Sequence, residues 1–256
     1  MLVSFLPATT LPSMAVYSEL APFYDLLFPP SEEQAAFLIQ KLSDSDCHHL
    51  LDAGCGTGRH LEILAEQEFA VTGLEPEAAM ALRANERLGD RGRVHTLGLE
   101  HSAELEEAPF DAVLCLGNTL AHLLDHPSLK TGLEALSGAL RPDGLLLLQM
   151  VHFEKVLREK KNPFEPRDIV DSAGRELRFH RAYAFGEDLL EFHLLLEGEN
   201  LKIEDRFPLR PWRLAELEPT MREVHLEIEG VYGNWKGDDR TKDSPATIIS
   251  ARKIRS

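Results

Sequence analysis

The sequence predicts an α/β fold: a seven-stranded, mostly parallel sheet with helices on both faces and an antiparallel β insertion after the fifth strand. Three observations support this prediction. Apolar runs alternate with helical patterns from residue 31 to 151, apolar residues alternate singly between 175 and 209, and two more strand-like segments follow. Strands that are apolar throughout are typical of parallel sheets, because helices cover both of their faces.

Each element of the first half is predicted from its local pattern. Short apolar runs predict strands over residues 50–53, 70–74, 93–97, 111–116 and 145–148. Apolar residues at helical spacing predict helices over 57–67, 77–88 and 127–140, and Pro127 suits the first turn of the last one. Residues 141–144 (RPDG) predict a turn before the fifth strand.

The second half predicts antiparallel strands. The alternating sets are Leu177, Phe179, Arg181 and Tyr183, then Leu190, Phe192, Leu194 and Leu196, and residues 186–188 (GED) between them are a turn signal. Residues 224–232 and 246–251 predict two closing strands. Together with the first five they make the seven strands of the main sheet.

The composition limits the class of partner. Of 256 residues, 43% are hydrophobic and 27% are charged, which is typical of a globular protein. Asp and Glu number 43 against 27 Lys and Arg, so the net charge is −16. A field of that sign repels phosphate backbones and anionic lipid surfaces. We therefore expect neither nucleic acid nor a membrane as a partner, and a homodimer is possible.

The cysteines and the chain start bear on the compartment. The three cysteines lack metal-ligand spacing, which predicts no metal site and favours a reducing compartment, the cytoplasm. No apolar run reaches the roughly 18 residues that a membrane-spanning helix needs. The first thirteen residues lack the features of a secretory signal, and Met14 is as good a candidate for the true start as Met1.

The most informative segment is a glycine-rich loop between the first strand and the first helix. Gly54, Gly56 and Gly58 stand at alternate positions, and Asp52 precedes them. Glycine permits close backbone approach to a ligand, and the helix that follows offers free N–H groups. The spacing differs from the Gly-x-Gly-x-x-Gly of dinucleotide-binding folds. The alternative is a tight turn without a ligand.

An acid follows the second strand. Glu75 stands at its carboxyl end, beside the glycine loop in such a fold. That position suits hydrogen bonds to ribose hydroxyls. The alternative is a surface glutamate at a strand end.

These motifs resemble those of a known family. Residues 51–58 (LDAGCGTG), Glu75, residues 110–113 (FDAV) and residues 140–144 (LRPDG) resemble class I S-adenosylmethionine-dependent methyltransferases, which have a Rossmann-like fold. Residues 115–123 (CLGNTLAHL) are similar to glycine N-methyltransferase and its bacterial small-molecule relatives, and residues 17–25 (YSELAPFYD) resemble their lid helix.

The resemblance implies a role for each matching position. The cofactor would be S-adenosylmethionine, held by Tyr17, Tyr24, Asp52, Gly54, Cys55, Gly56, Gly58, Glu75, Pro76, Met80, Glu100, His101, Leu116 and Gly117. It also implies four regions: an N-terminal extension and lid over 1–30, a cofactor-binding core over 31–151, an insertion on the substrate side over 152–210, and the closing part of the core over 211–256. Val151 stands where glycine N-methyltransferase has an arginine for the substrate carboxylate, which argues against glycine as substrate.

The expected activity is transfer of a methyl group to a small-molecule acceptor by in-line displacement, with an amine nitrogen as the leading acceptor and oxygen as the alternative. Asn118 is predicted to orient the acceptor, and His122 and His152 are the candidate bases. For each of these three residues the alternative is a purely structural role.

Two other groups of residues are candidate parts of the acceptor site. Tyr183 is a candidate wall residue. The basic residues Arg158, Lys160, Lys161 and Arg167 are interpreted as a solvated loop, with a rim that attracts an anionic substrate as the alternative.

Two rival functions are also consistent with the sequence. One is a nucleotide-dependent oxidoreductase on the same sheet, against which the glycine spacing argues. The other is a cofactor-binding protein that has lost its chemistry, because a fold does not by itself establish a function.

Overall fold

The computed structural model describes residues 15–161 and 164–254; Met1 and Met14 lie outside them. The strands are β1 His49–Ala53, β2 Ala70–Leu74, β3 Gly92–His95, β4 Phe110–Cys115, β5 Leu140–Val151, β6 Arg167–Val170, β7 Glu176–Phe185, β8 Leu190–Gly198, β9 Leu201–Leu209, β10 Leu226–Tyr232 and β11 Ala246–Lys253. The helices are α1 Ala15–Leu20, α2 Tyr24–Leu27, α3 Glu32–Asp44, α4 Arg59–Glu66, α5 Ala78–Leu88, α6 His126–Ala139, α7 Phe153–Glu159 and α8 Leu214–Glu223.

Two sheets organise these strands. The main sheet has the order β10-β11-β5-β4-β1-β2-β3, and its first five strands in sequence run parallel. β11 runs antiparallel to both β5 and β10. The second sheet, in the order β6-β7-β8-β9, is antiparallel and follows β5 in sequence. The predicted fold class is confirmed.

Alternate side chains of the main sheet enter two separate cores. Leu50 and Leu147 pack with α3, α4 and α5, whereas Leu51 and Leu148 pack on the opposite face with α6 and α8. All four leucines are at most 1% exposed. Burial on both faces explains why these strands are apolar at every position.

Polar residues set where the helices begin. The Ser31 hydroxyl accepts a hydrogen bond from Gln34 N at the start of α3, and the Asp125 carboxylate accepts one from Ser128 N at the start of α6. α4 instead begins after Gly58, whose φ of +76° is left-handed. This conformation turns the chain sharply from β1 into α4 and places the helix N-terminus at the edge where β1 ends.

The second sheet lies over the carboxyl ends of the parallel strands. Phe207 of β9 is 5.7 Å from the ring of Tyr17 in α1, and Phe179 of β7 is 5.6 Å from the ring of Phe28. The backbone N–H of Arg210, just after β9, donates to the carbonyl of Ala121 beyond β4. The second sheet, α1 and α2 therefore enclose the carboxyl edge of the main sheet.

The segment predicted as a lid helix forms two short helices instead of one. Pro22 lies between α1 and α2. Proline has no N–H to continue a helix and disfavours helical torsions in the residue before it. The chain therefore turns at this point, and Tyr17 and Tyr24 lie on separate helices.

The predicted turn at residues 141–144 lies within a longer strand. β5 begins at Leu140, which pairs with Phe110, but the next pairing joins Ala112 to Leu145. The intervening residues form a bulge in which Asp143 has a φ of +61°. The short strand β6 was not predicted, since residues 167–170 (RDIV) carry too few apolar side chains to give a pattern.

Among the described residues, no helix combines the length and apolarity that crossing a bilayer requires.

The packing of α4 against α5 gives a first prediction, made with two glycines of matched torsion. A Cβ on Gly58 would lie 2.9 Å from Cβ of Ala84, whereas Gly174 has a φ of +77° and open space around it. Gly174→Ala should lower the free energy of unfolding by about 1–2 kcal/mol through backbone strain. Gly58→Ala should lose about 1–3 kcal/mol more through overpacking. Urea denaturation of the two variants checks this, and equal losses would contradict it.

Candidate active site

Two cavities meet where the parallel strands end, the edge at which open α/β sheets bind ligands. The loop cavity, of about 400 Å³, is lined by the glycine loop after β1, by α2 and by the end of β4. The sheet cavity, of about 850 Å³, lies between that edge, α7 and the second sheet. The two cavities share five of their lining residues: Tyr24, Phe28, Gly117, Arg167 and Arg181.

The three glycines of the loop serve different contacts. Gly54 has a φ of +88°, and a Cβ there would lie 2.5 Å from the side chain of Thr119. Gly56, with a φ of +57°, lies under the ring of Tyr24. Gly58 permits the approach of α5, as described above, and is not among the residues that line the two cavities. Two of the three glycines therefore border the loop cavity directly.

Asp52 is a buried carboxylate under the loop cavity. It is 1% exposed, and neither of its oxygens has a hydrogen-bond partner among the described residues. Burial, together with the nearby Glu75 carboxylate, raises the pKa of Asp52 to about 7. A buried polar group without a partner is costly, so this position suits a ligand that brings a donor or a positive charge.

Glu75 connects the end of β2 to the glycine loop. One carboxylate oxygen accepts from Gly56 N and the other from Glu77 N, each at 2.9 Å. Burial raises the pKa of Glu75, and the two backbone N–H groups oppose that shift. Each oxygen keeps a further lone pair, so the carboxylate can still accept from a hydroxyl.

The first two helices are anchored to the loop and to α5. The Asp25 carboxylate accepts hydrogen bonds from the Thr57 hydroxyl and from Arg87, and Ser18 donates to Glu77. Sequence reasoning missed these contacts because their partners are distant along the chain. They hold the ring of Tyr24 against Gly56 and leave Tyr17 facing the sheet cavity.

The remaining predicted cofactor residues differ in how close they lie to the loop cavity. Leu116, Gly117 and Cys55 line the loop cavity, although the Cys55 sulfur points away, towards Gly73. Met80 is buried near Gly56.

Three predicted residues are more peripheral. Pro76 and Glu100 are exposed, and the His101 ring bonds to Glu104 at 3.0 Å. None of the three lines either cavity.

Asn118, His122 and His152 all line the sheet cavity. Asn118 has a φ of +71°, and its amide oxygen accepts from Val151 N at 2.7 Å, which links the ends of β4 and β5. Its NH₂ group is the part left for a ligand.

The two histidines differ in their surroundings. His122 shares a hydrogen bond with the Tyr17 hydroxyl at 3.3 Å and stacks on Phe207, and burial lowers its pKa to about 4. His152 is 2% exposed, and its Nδ1 donates to the carbonyl of Ser244 at 3.0 Å. Burial also lowers the pKa of His152. Its other ring nitrogen, Nε2, lies 3.4 Å from Glu154.

The four basic residues noted in the sequence separate in the structure. Arg158 pairs with Asp243 and Glu159, and the ammonium of Lys160 lies over the ring of Phe185. Lys161 and Arg167 line the sheet cavity.

Sequence reasoning missed Arg181 as a site residue. Its position in the alternating set with Phe179 and Tyr183 was the available signal, because a charged residue on the inward face of a strand needs a reason. Tyr183 also lines the sheet cavity, where a wall residue of an acceptor site would lie.

Comparisons with known proteins agree with this geometry. A family model described as a methyltransferase domain matches residues 51–146. A glycine/sarcosine N-methyltransferase of Aphanothece halophytica is 25% identical over 227 residues, covering 87% of this chain and 83% of that protein.

Two solved structures share the fold. An S-adenosylmethionine-dependent methyltransferase from Clostridium acetobutylicum has a TM-score of 0.78 at 17% identity, covering 93% of this chain and 99% of that one. An S-adenosylmethionine-bound amino pentose methyltransferase from Micromonospora echinaspora has a TM-score of 0.69 at 24% identity, covering 88% and 93%.

The family match and the geometry coincide on the same part of the chain. The matched segment runs from Leu51 through most of β5 and contains the glycine loop, Glu75 and the end of β4. The Aphanothece relative extends the similarity beyond this segment, over the second sheet. Residues 51–146 carry the match to the methyltransferase-domain family, and the comparisons together support a class I methyltransferase with S-adenosylmethionine as its cofactor.

Proposed function

We propose that this protein methylates a nitrogen atom of a small-molecule acceptor that binds in the sheet cavity. The observation that carries the proposal is the cavity itself. It has a volume of about 850 Å³, is walled by aromatic side chains, and meets the loop cavity at Gly117 and Tyr24. That volume suits a small molecule and not a folded chain.

The loop cavity fits the donor on the evidence of its own side chains. Asp52 offers two unpartnered, buried carboxylate oxygens for the donor's ammonium group. Glu75 does not line the loop cavity itself, but it accepts from the N–H of Gly56, which does, and it keeps acceptor capacity for ribose hydroxyls. Gly56 borders the loop cavity next to the ring of Tyr24. These residues would hold the donor with its reactive end towards Gly117.

The chemistry divides between donor and protein. S-adenosylmethionine supplies, when bound, an electrophilic methyl group on a positively charged sulfur. The protein has to align the acceptor's lone pair with that methyl group and exclude water, and alignment of this kind contributes about 7–11 kcal/mol. Tyr24 lies at the junction of the cavities with Tyr17 beside it in the sheet cavity, and Phe192 and Phe207 wall the acceptor side.

Nitrogen and oxygen acceptors differ in their need for a base, and His122 does not suit that role. A neutral amine already has a nucleophilic lone pair, whereas a hydroxyl has to lose its proton as it reacts. With a pKa of about 4, His122 is too weak a base for a hydroxyl. The same buried ring suits the positioning of Tyr17, to which it is hydrogen-bonded.

His152 is the better candidate to receive the proton that the methylated nitrogen releases. Its Nδ1 carries hydrogen, because the Ser244 carbonyl can only accept, so the lone pair of the neutral ring lies on Nε2. The adjacent Glu154 carboxylate favours the charged ring, although it is also paired with Arg240.

The named relatives support the same choice. The Aphanothece protein is named for methylation of the nitrogens of glycine and sarcosine, and the Micromonospora structure for an amino pentose. The alternatives are O-methylation of a small molecule and cofactor binding without turnover.

The proposal is tested by incubating the protein with S-adenosylmethionine and a panel of amines, amino acids, amino sugars, phenols and carboxylic acids. Mass spectrometry of products and release of S-adenosylhomocysteine report turnover. We expect an N-methylated product from at least one amine. Methylated products from phenols or acids alone would show that the acceptor atom is oxygen and not nitrogen. Tight donor binding without any turnover would support a binding protein instead.

The pKa of Asp52 gives a pH-dependent prediction for the donor site. The ionised carboxylate is the form that binds an ammonium group, so affinity for S-adenosylhomocysteine should rise about tenfold from pH 6 to pH 8. Asp52→Asn should bind more weakly and lose this dependence. Calorimetry in two buffers of different ionisation enthalpy measures both the affinity and the proton released.

Asp52 also makes the stability of the unliganded protein depend on pH, in the opposite direction to the affinity for the donor. Its raised pKa favours the folded protein below about pH 4, and this contribution is lost as the pH rises through about 7. Without ligand, Asp52→Asn should therefore stabilise the protein at pH 8 by on the order of 3 kcal/mol and have little effect at pH 4. Unchanged stability at pH 8 would show that Asp52 has a partner in solution.

The two histidines should separate kinetically. His152→Gln should lower kcat by about a hundredfold or more and leave affinity for S-adenosylhomocysteine intact. His122→Gln should mainly raise the KM for the acceptor, because it releases Tyr17, which lines the sheet cavity. Steady-state kinetics of both variants measures kcat and KM, and calorimetry measures their affinity for S-adenosylhomocysteine. Equal loss of kcat and donor affinity in His152→Gln would place that residue in donor binding.

A further inference from the structure

Two arginines stand together at the junction of the cavities. Arg167 of β6 lies opposite Phe179 in the register of the second sheet, and Arg181 is two residues further along β7. Residues two apart on a strand share a face, so both side chains lie on the same side of this sheet. Both line the sheet cavity and the loop cavity.

Among the described residues, no carboxylate balances the charge of either arginine. Arg167 donates to the carbonyls of Leu26 and Leu27, and its Nε is buried without a partner. The Nε of Arg181 is likewise buried and unpartnered. Its guanidinium lies 5.2 Å from the centre of the Phe164 ring and 5.4 Å from that of Phe179. Within the described ranges, neither forms an ion pair with a carboxylate.

Burial and the adjacent Arg167 charge lower the pKa of Arg181. Two like charges in a partly dehydrated cavity repel one another and have lost part of their hydration. This is notable in a chain of net charge −16, in which carboxylates are plentiful. An anion placed between the two guanidiniums would relieve both costs, and arginine suits planar or tetrahedral oxyanions through paired donors.

The other charged residues of the sheet cavity do not supply that anion. Lys155 and Lys161 add positive charge, although Lys155 already donates to the carbonyl of Asp243. Glu159 is paired with Arg158, and Glu165 forms no ion pair with any residue that the structure describes. The cavity as a whole therefore carries more positive than negative charge.

Resting on the proposed function, we propose that Arg181, assisted by Arg167, binds an oxyanion of the methyl acceptor, so that the substrate is an amine carrying a carboxylate or phosphate group. The aromatic neighbours favour the acceptor over the donor's own carboxylate. Phe164, whose ring is close to Arg181, lines the sheet cavity and not the loop cavity, and the same holds for Tyr183.

The test uses the full-length protein saturated with S-adenosylhomocysteine and matched probes. For the carboxylate, 4-aminobutanoate is compared with butylamine; for the phosphate, O-phosphoethanolamine is compared with ethanolamine. Calorimetry gives their affinities, and S-adenosylmethionine replaces the product to measure methylation. We expect at least one anionic probe to bind tenfold or more tightly than its neutral partner. The pair with the larger ratio identifies the anion.

The variants are Arg181→Gln, Arg181→Lys and the matched control Arg178→Gln, an exposed residue of the same strand paired with Asp168. Arg181→Gln should raise the KM for the anionic probe and weaken its binding until the preference for it is lost. Arg181→Lys should keep part of that preference. Arg178→Gln should keep all of it. Affinity for S-adenosylhomocysteine should stay within twofold in every variant.

Two results would overturn the inference. One is a wild-type protein without preference for either anionic probe. The other is a loss of S-adenosylhomocysteine affinity in Arg181→Gln, which would assign the arginine to the donor. Methylation of neutral amines together with either result would leave the proposed function intact. Binding of an anionic probe without methylation would instead contradict the proposed function alone.

Discussion

The site depends on one constraint: the buried carboxylate of Asp52 has no hydrogen-bond partner among the residues that the structure describes. Asp52 is fixed at the end of β1 by the pairing of that strand with β2 and β4 on either side. The glycine loop passes over it, and Glu75 stands beside it at the end of β2. Because the parallel strands end together, the fold brings both acids to one edge, and their mutual repulsion makes that edge receptive to a ligand rich in hydrogen-bond donors.

The second sheet turns this receptive edge into an enclosed site. Its strands bring Phe207, Tyr183 and Arg181 over the carboxyl ends of β4 and β5. The helices α1 and α2 are tied to α5 and to the glycine loop through Ser18 and Asp25. Donor and acceptor residues are therefore held on three different parts of the chain. A change in the lid contacts will consequently affect both cavities, since Tyr24 borders each of them.

Much of the site was predictable because its signals are local. The strand–loop–helix transition at residues 50–60, the acid after β2 and the segment after β4 each occupy a short stretch of sequence. Their positions follow from the rule that parallel strands end at a common edge. The prediction was weaker where a residue's role depends on its surroundings. His122 and His152 look alike in sequence, yet one is hydrogen-bonded to a lid tyrosine and the other to a backbone carbonyl of the closing segment.

The sequence by itself determined the alternation of strands and helices, the glycine loop, and the identity of the acids at the ends of β1 and β2, because these follow from periodicity and from single positions. Only the tertiary structure decided which charges find partners. Arg158 meets Asp243 across 85 residues of chain, whereas Arg181 meets no carboxylate within the described ranges. Such pairings depend on the contact between separate elements, and no local pattern encodes that contact. For the same reason, only the fold identified Arg181 as part of the site, and only the fold showed that neither it nor Arg167 has a carboxylate partner among the described residues.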